Sequence, residues 1–147
     1  MRIVVDASVV AKWVLPSPAG EEPDAERAVE VLRGIQRGDL EPLQPPHWLA
    51  EVAAVVARLI PDQAGSVLDL LDALELPVAA DVPVYKRAAT LAQTLDHHLF
   101  DTLYHAVALD RGATLITADE HYWRKARELG ATVRLVDWRG PSARSDD

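Results

Sequence analysis

Short continuous apolar runs alternate along this chain with stretches in which apolar residues recur at helical spacing. Ile3-Val4-Val5 is a continuous run ending at Asp6, the pattern of a central parallel strand covered on both faces. Ala7 to Leu15 reads as a helix stopped by Pro16, and Ser17 to Pro23 as a proline- and glycine-containing loop. Ala25, Ala28, Val29, Leu32 and Ile35 then keep helical spacing, with Gly38 just past the end. Leu40 to Gln44 reads as a short strand. Pro45-Pro46 opens the next helix, since proline is tolerated in a first turn, and that helix runs through Trp48, Leu49, Val52, Val55, Val56 and Leu59 to Pro61. Asp62 starts a further helix carrying Val67, Leu70, Leu71 and Leu74. Leu76 to Ala80 reads as a strand, and Asp81 as the cap of a helix whose stripe is Val84, Ala88, Leu91, Ala92 and Leu95. Leu99 to Arg111 is helical, with Gly112 as its stop. Thr114 to Thr117 is a strand, Glu120 to Leu129 a helix closed by Gly130, and Thr132 to Val136 a last strand.

Strand and helix in alternation, with an extra helical pair in the middle, predict a three-layer α/β fold. Its central parallel sheet would have four to five strands flanked by helices. The 147 residues suit one domain, drawn over residues 1–137, with a polar tail over 138–147. An apolar content of 49% excludes a disordered chain. No apolar run approaches the ~18 residues of a membrane-spanning helix. The sequence has no cysteine, which removes disulfides, thiolate metal sites and a thiol nucleophile. With 15 basic and 23 acidic residues the net charge is −8, the wrong sign for a non-specific nucleic-acid coat. The first residues run straight into structure, so no signal peptide is read there and a cytoplasmic location is the expectation.

Four acidic residues lie among apolar neighbours: Asp6, Glu51, Asp101 and Asp119. Asp6 and Asp119 fall at the carboxyl ends of predicted parallel strands, the edge at which open α/β sheets bind ligands. Each has a bland reading. Asp101 can charge a helix start, Asp119 can cap the helix beginning at Glu120, and Glu51 can be a solvated mid-helix residue. Asp6 is hardest to dismiss, because a carboxylate directly after a buried strand needs a partner. Carboxylates converging on one sheet edge repel one another, so the set must take up protons or a cation. Hard cations such as Mg²⁺ and Mn²⁺ take oxygen ligands, and such a site can activate water for an in-line phosphoryl displacement.

The stretches Ile3-Val4-Val5-Asp6-Ala7-Ser8, Pro46-His47-Trp48-Leu49-Ala50-Glu51-Val52, Phe100-Asp101-Thr102-Leu103-Tyr104-His105-Ala106 and Thr114-Leu115-Ile116-Thr117-Ala118-Asp119 carry a resemblance. Their acidic spacing is Asp-x44-Glu-x49-Asp-x17-Asp. The constellation resembles the PIN domain, most closely the VapC-type toxin ribonucleases, from Arg2 to about Asp137. That resemblance implies a Mg²⁺- or Mn²⁺-dependent endoribonuclease toxin. It places the metal on Asp6 and Asp101 with Asp119 nearby, gives Glu51 a part in metal or water positioning, and sets the hydroxyls of Ser8 and Thr117 behind them. It also implies a homodimer and a small VapB-type antitoxin. An arginine of that partner would enter the acidic set, and a groove between Ala7–Leu15 and Pro46–Leu59 would seat its C-terminal segment, with Trp13 or Trp48 as anchor. Thr102 stands where the family often has a smaller residue, and the −8 charge is acidic for an enzyme acting on RNA.

Lys12, Arg124 and Lys125 are candidate phosphate contacts, set against the plainer reading of Arg124-Lys125-Ala126-Arg127 as a solvated helix face. Asp101 and His105 have the spacing for zinc on one helix face, but no second such pair exists. His97-His98 reads as a surface helix end. No Gly-x-Gly-x-x-Gly or Walker A pattern occurs. Two alternatives remain: a PIN-like module that binds RNA or protein without catalysis, and a signalling receiver domain. The latter lacks a convincing phospho-acceptor strand and the downstream lysine.

Overall fold

The protein is described by a computed structural model over residues 1–16 and 23–141. Its chain runs β1 (Arg2–Val5), α1 (Ala7–Val14), α2 (Pro23–Arg37), β2 (Glu41–Pro42), α3 (Trp48–Leu59), α4 (Ala64–Asp72), α5 (Val82–Leu95), α6 (Leu99–Arg111), β3 (Thr114–Thr117), α7 (Glu120–Ala126) and β4 (Thr132–Arg134). The four strands form one parallel sheet in the order β2-β1-β3-β4. The expected three-layer α/β architecture is present. Ile3, Val4 and Val5 are fully buried, as a strand covered on both faces requires.

This order determines where a site can form. From β1 the chain passes through α1 and α2 to β2 on one side, then returns through four helices to β3 on the other. The sense of winding therefore reverses between β1 and β3, and a crevice opens outside their carboxyl ends. Val5 pairs with Ile116, so Asp6 emerges from β1 beside Thr117 at the end of β3. The Asp6 amide continues the ladder by donating to the Ile116 carbonyl at 3.0 Å.

Most helix ends fall where the sequence places them. Asp81 caps α5, accepting from the Val84 amide at 3.1 Å, and Gly112 ends α6 with a left-handed φ of 63°. The Arg111–Asp81 ion pair ties the last turn of α6 to the start of α5, closing an antiparallel helical hairpin.

Several boundaries are corrected. Pro45-Pro46 lies in the turn before α3, which begins at Trp48. The helix expected from Asp62 begins at Ala64. The strand expected over Leu76 to Ala80 is reduced to one bridge, Val78 with Gln44; Pro77 has no N–H to extend a ladder. The last strand stops at Arg134, and Leu135–Asp137 form a 3₁₀ turn. Trp138, assigned to the tail, is 6% exposed and belongs to the core. The loop residues 17–22 and the tail residues 142–147 lie outside the described residues.

Gln44 acts as a strand partner through its side chain. Fully buried, it accepts from the Val5 amide through Oε1 and donates to the Val5 carbonyl through Nε2, both at 2.8 Å. The end of β1 is thereby fixed immediately before Asp6. Gln44→Leu would strand two buried backbone groups, each costing about 1–3 kcal/mol. The expected loss is about 2–6 kcal/mol in urea unfolding; a loss below about 1 kcal/mol would show that water replaces the amide without penalty.

Candidate metal centre at the carboxyl edge of the sheet

All four acidic residues sit at helix starts. Asp6 is the N-cap of α1 and Asp119 the N-cap of α7, while Glu51 and Asp101 lie in the first turns of α3 and α6. The bland readings of Asp101 and Asp119 are therefore correct locally; Asp119 accepts from the Tyr122 amide at 3.1 Å. They do not exhaust the arrangement, because the four helix starts converge. Asp6 feels the charges of Glu51 and Asp119, and the buried Tyr104 hydroxyl feels those of Asp6, Glu51 and Asp101. Four partly positive helix ends offset part of the repulsion among the carboxylates.

Asp6 is held from behind. Its Oδ2 accepts a short hydrogen bond from the Ser8 hydroxyl, and bonds from the Ser8 amide and the Thr117 hydroxyl at 3.3 Å. Ser8 Oγ in turn accepts from the Ala118 amide, and Thr117 Oγ1 from the Asp119 amide, both at 3.0 Å. The two hydroxyls link the ends of β1 and β3 into one rigid corner. Burial raises the Asp6 pKa from 3.8 to about 6; the Ser8 hydrogen bonds oppose this, and Glu51 and Asp119 add to it.

His97, Asp101 and Asp119 each offer a ligand atom, and these atoms lie within 4.8 Å of one another. They face an open cleft of about 640 Å³, rimmed by His121 and Lys125. His97 is not the surface residue expected: its side chain is 6% exposed and its Nε2 lies 2.9 Å from Asp101 Oδ2. The chain turns it inward at Asp96, a left-handed residue with φ 49° that ends α5. On the other side, His47 Nε2 donates to the Phe100 carbonyl at 2.6 Å and lies 2.8 Å from Glu51 Oε1. Burial pulls the His47 pKa down, but Glu51 and the Phe100 carbonyl outweigh it, and the net shift is upward.

A scan against protein-family models matches the PIN domain over residues 3–129. This chain belongs to the PIN domain family. No curated protein sequence gives a significant match. Similar solved structures include FitAB bound to an IR36 DNA fragment, with 18% identity and a TM-score of 0.67 over 93% of this chain and 97% of that one. VapBC2 from Rickettsia felis, bound to a DNA fragment from their promoter, gives 15% identity and 0.63 over 91% and 97%. FitAcB from Neisseria gonorrhoeae gives 20% and 0.63 over 92% and 99%. At these identities the likeness is one of fold.

The donor set of this PIN domain fits a divalent cation. Oxygen ligands predominate, and Glu51 Oε1, the Tyr104 hydroxyl and His47 Nδ1 are buried without a well-formed hydrogen bond. Asp6 is not part of the close His97–Asp101–Asp119 group; its corner with Ser8 and Thr117 lies beside it. Zinc at Asp101 and His105 is ruled out. His105 is fully buried, its Nε2 donating to the Gly130 carbonyl and its Nδ1 accepting from the Tyr122 hydroxyl, each at 2.8 Å. Both ring nitrogens are used, and burial lowers its pKa, so it stays neutral.

Lys125 lines the cleft, its Nζ donating to the Asp96 carbonyl at 2.9 Å. Arg124 is paired with Glu120 at 3.2 Å and does not line the cleft. Lys12, on α1, is partly buried. Trp13 and Trp48 are not exposed anchors: Trp48 is 5% exposed, and Trp13 packs against the core and donates to the Ala28 carbonyl at 2.7 Å. Among the described residues, no helix is long and apolar enough to cross a membrane.

Proposed function

We propose that this PIN domain is a divalent-cation-dependent endoribonuclease, the toxin of a VapC-type pair neutralised by a small antitoxin. The observation that carries the reading is the convergence of Asp6, Glu51, Asp101 and Asp119 outside the β1–β3 crevice. Asp101 and Asp119 would hold the ion, with Asp6 completing the set. Mg²⁺ or Mn²⁺ held by these residues would supply Lewis-acid charge for the scissile phosphate and for an attacking water. Ser8 and Thr117 keep the Asp6 carboxylate aimed while substrate binds. Glu51, backed by His47, orients the water and takes up its proton. Lys125 offers a cation to the phosphate at the rim of the cleft.

The partner reading is supported by the similar structures, which carry the names of paired proteins. A net charge of −8 disfavours a broad DNA-binding face on this chain, so the partner is expected to carry most of the DNA contact in such a complex. An arginine of the partner entering the acidic set would pair with carboxylates and compete with the cation. Removing the partner segment that bears this arginine is expected to restore cleavage; equal inhibition by truncated and full-length partner would contradict this mode. Homodimerisation belongs to the same reading.

Incubating the purified protein with total cellular RNA, with Mn²⁺ or with EDTA, tests the activity. Fragmentation is expected with Mn²⁺ alone. RNA that stays intact under both conditions would favour the module that binds without catalysis.

A further inference from the structure

We infer that His97 is a direct ligand of the cation and makes the centre a mixed nitrogen–oxygen site that prefers divalent transition-metal ions to Mg²⁺. The inference rests on the reading of this site as a cation centre. His97 is a pre-placed donor: its side chain is 6% exposed, and its ring packs edge-on against Tyr122 with centroids 5.0 Å apart. Its Nε2 approaches Asp101 Oδ2 to 2.9 Å. Ligands about 2.1 Å from an octahedral ion stand about 3.0 Å apart when adjacent, so this pair matches one edge of such a shell. Asp119 closes the group within 4.8 Å.

A second observation points the same way. Tyr104 is fully buried, and its hydroxyl faces the acidic set without a well-formed hydrogen bond. The hydroxyl lies against Glu51 without a well-formed bond, which leaves it open to a further ligand at the acidic set, and an ion with its waters supplies one. Imidazole is a poor donor for Mg²⁺, which favours oxygen and dehydrates reluctantly, and a good one for first-row transition ions. Of the other imidazoles, His98 and His121 are exposed, both ring nitrogens of His105 are occupied, and His47 turns its Nε2 to Glu51 and the Phe100 carbonyl, outside the close His97–Asp101–Asp119 group.

The test uses the full chain, stripped of metal by chelation and loaded with substoichiometric Mn²⁺. Electron spin-echo envelope modulation then reads the nitrogen coupled to the ion. Imidazole nitrogen coupling is expected in the wild type, lost in His97→Gln, and kept in His47→Gln and in the His98→Gln/His121→Gln double variant. Calorimetry should show the preference for Co²⁺ over Mg²⁺ falling about 10-fold or more in His97→Gln. Mn²⁺ bound without nitrogen coupling would overturn the inference and leave the cation centre standing. No Mn²⁺ binding at all would overturn both. Coupling that persists in His97→Gln would assign the ligand elsewhere and overturn the inference. Should His97→Gln fail to fold, the His47→Gln variant and the double variant decide together: coupling kept in both leaves His97 as its source, and loss in either overturns the inference.

Discussion

Asp101→Asn is expected to lower RNA cleavage about 100- to 1,000-fold while the far-ultraviolet circular dichroism spectrum stays that of the folded protein. The substitution keeps the shape of a residue in the first turn of α6 and removes one charge from the group that would hold the ion. Electrostatic stabilisation by a bound cation is worth several kcal/mol in the transition state, and each 1.36 kcal/mol is about tenfold in rate. Asp101 is 37% exposed at its side chain, so the change buries no new group and strands no backbone amide. Undiminished cleavage by the purified variant would remove Asp101 from the chemistry.

Asp6→Asn is expected to stabilise the metal-free protein at neutral pH. An acid whose pKa is about 6 in the folded protein and 3.8 outside it holds its proton more tightly when folded. Its contribution is intact below about pH 4 and is lost as pH rises through about 6. At pH 7.5 the metal-free wild type therefore carries a penalty of up to about 3 kcal/mol, less wherever water reaches the carboxylate. Asparagine has no charge to desolvate and still accepts from Ser8. The variant should melt up to roughly 10 °C above the metal-free wild type at pH 7.5 and show no such gap at pH 4. Saturating Mn²⁺ should close the gap, since a cation at 100 times its Kd adds about 2.7 kcal/mol to the form that binds it. A variant less stable than the metal-free wild type at pH 7.5 would mean that the hydrogen bonds from Ser8 and Thr117 outweigh the charge.

The sequence revealed the acids better than their surroundings. Asp6 and Asp119 were legible because continuous apolar runs end just before them, and such runs are the signature of buried parallel strands. Ser8 and Thr117 both hydrogen-bond Asp6, a contact that no periodicity in the sequence marks. Local pattern could not show that four helix starts meet at one crevice, since that depends on the crossover placing β3 beside β1.

His97 was misread for a related reason. It precedes α6, outside the helix on which the spacing to Asp101 would have been counted, and only the left-handed turn at Asp96 aims it inward. Gln44 carried no signal at all: an amide replacing a backbone partner looks in sequence like any polar residue at a strand end. Leu76 to Ala80 misled because its apolar run is that of a strand, while Pro77 leaves it with a single bridge.

The end groups of a cleaved RNA oligonucleotide, read by mass spectrometry after digestion with Mn²⁺, test the central claim most directly. Water attacking beside the acidic set leaves linear phosphate and hydroxyl ends, which is the expected result. Ends carrying a 2′,3′-cyclic phosphate would show that the RNA's own 2′-hydroxyl is the nucleophile, contradicting cleavage by water activated at Asp6, Glu51, Asp101 and Asp119.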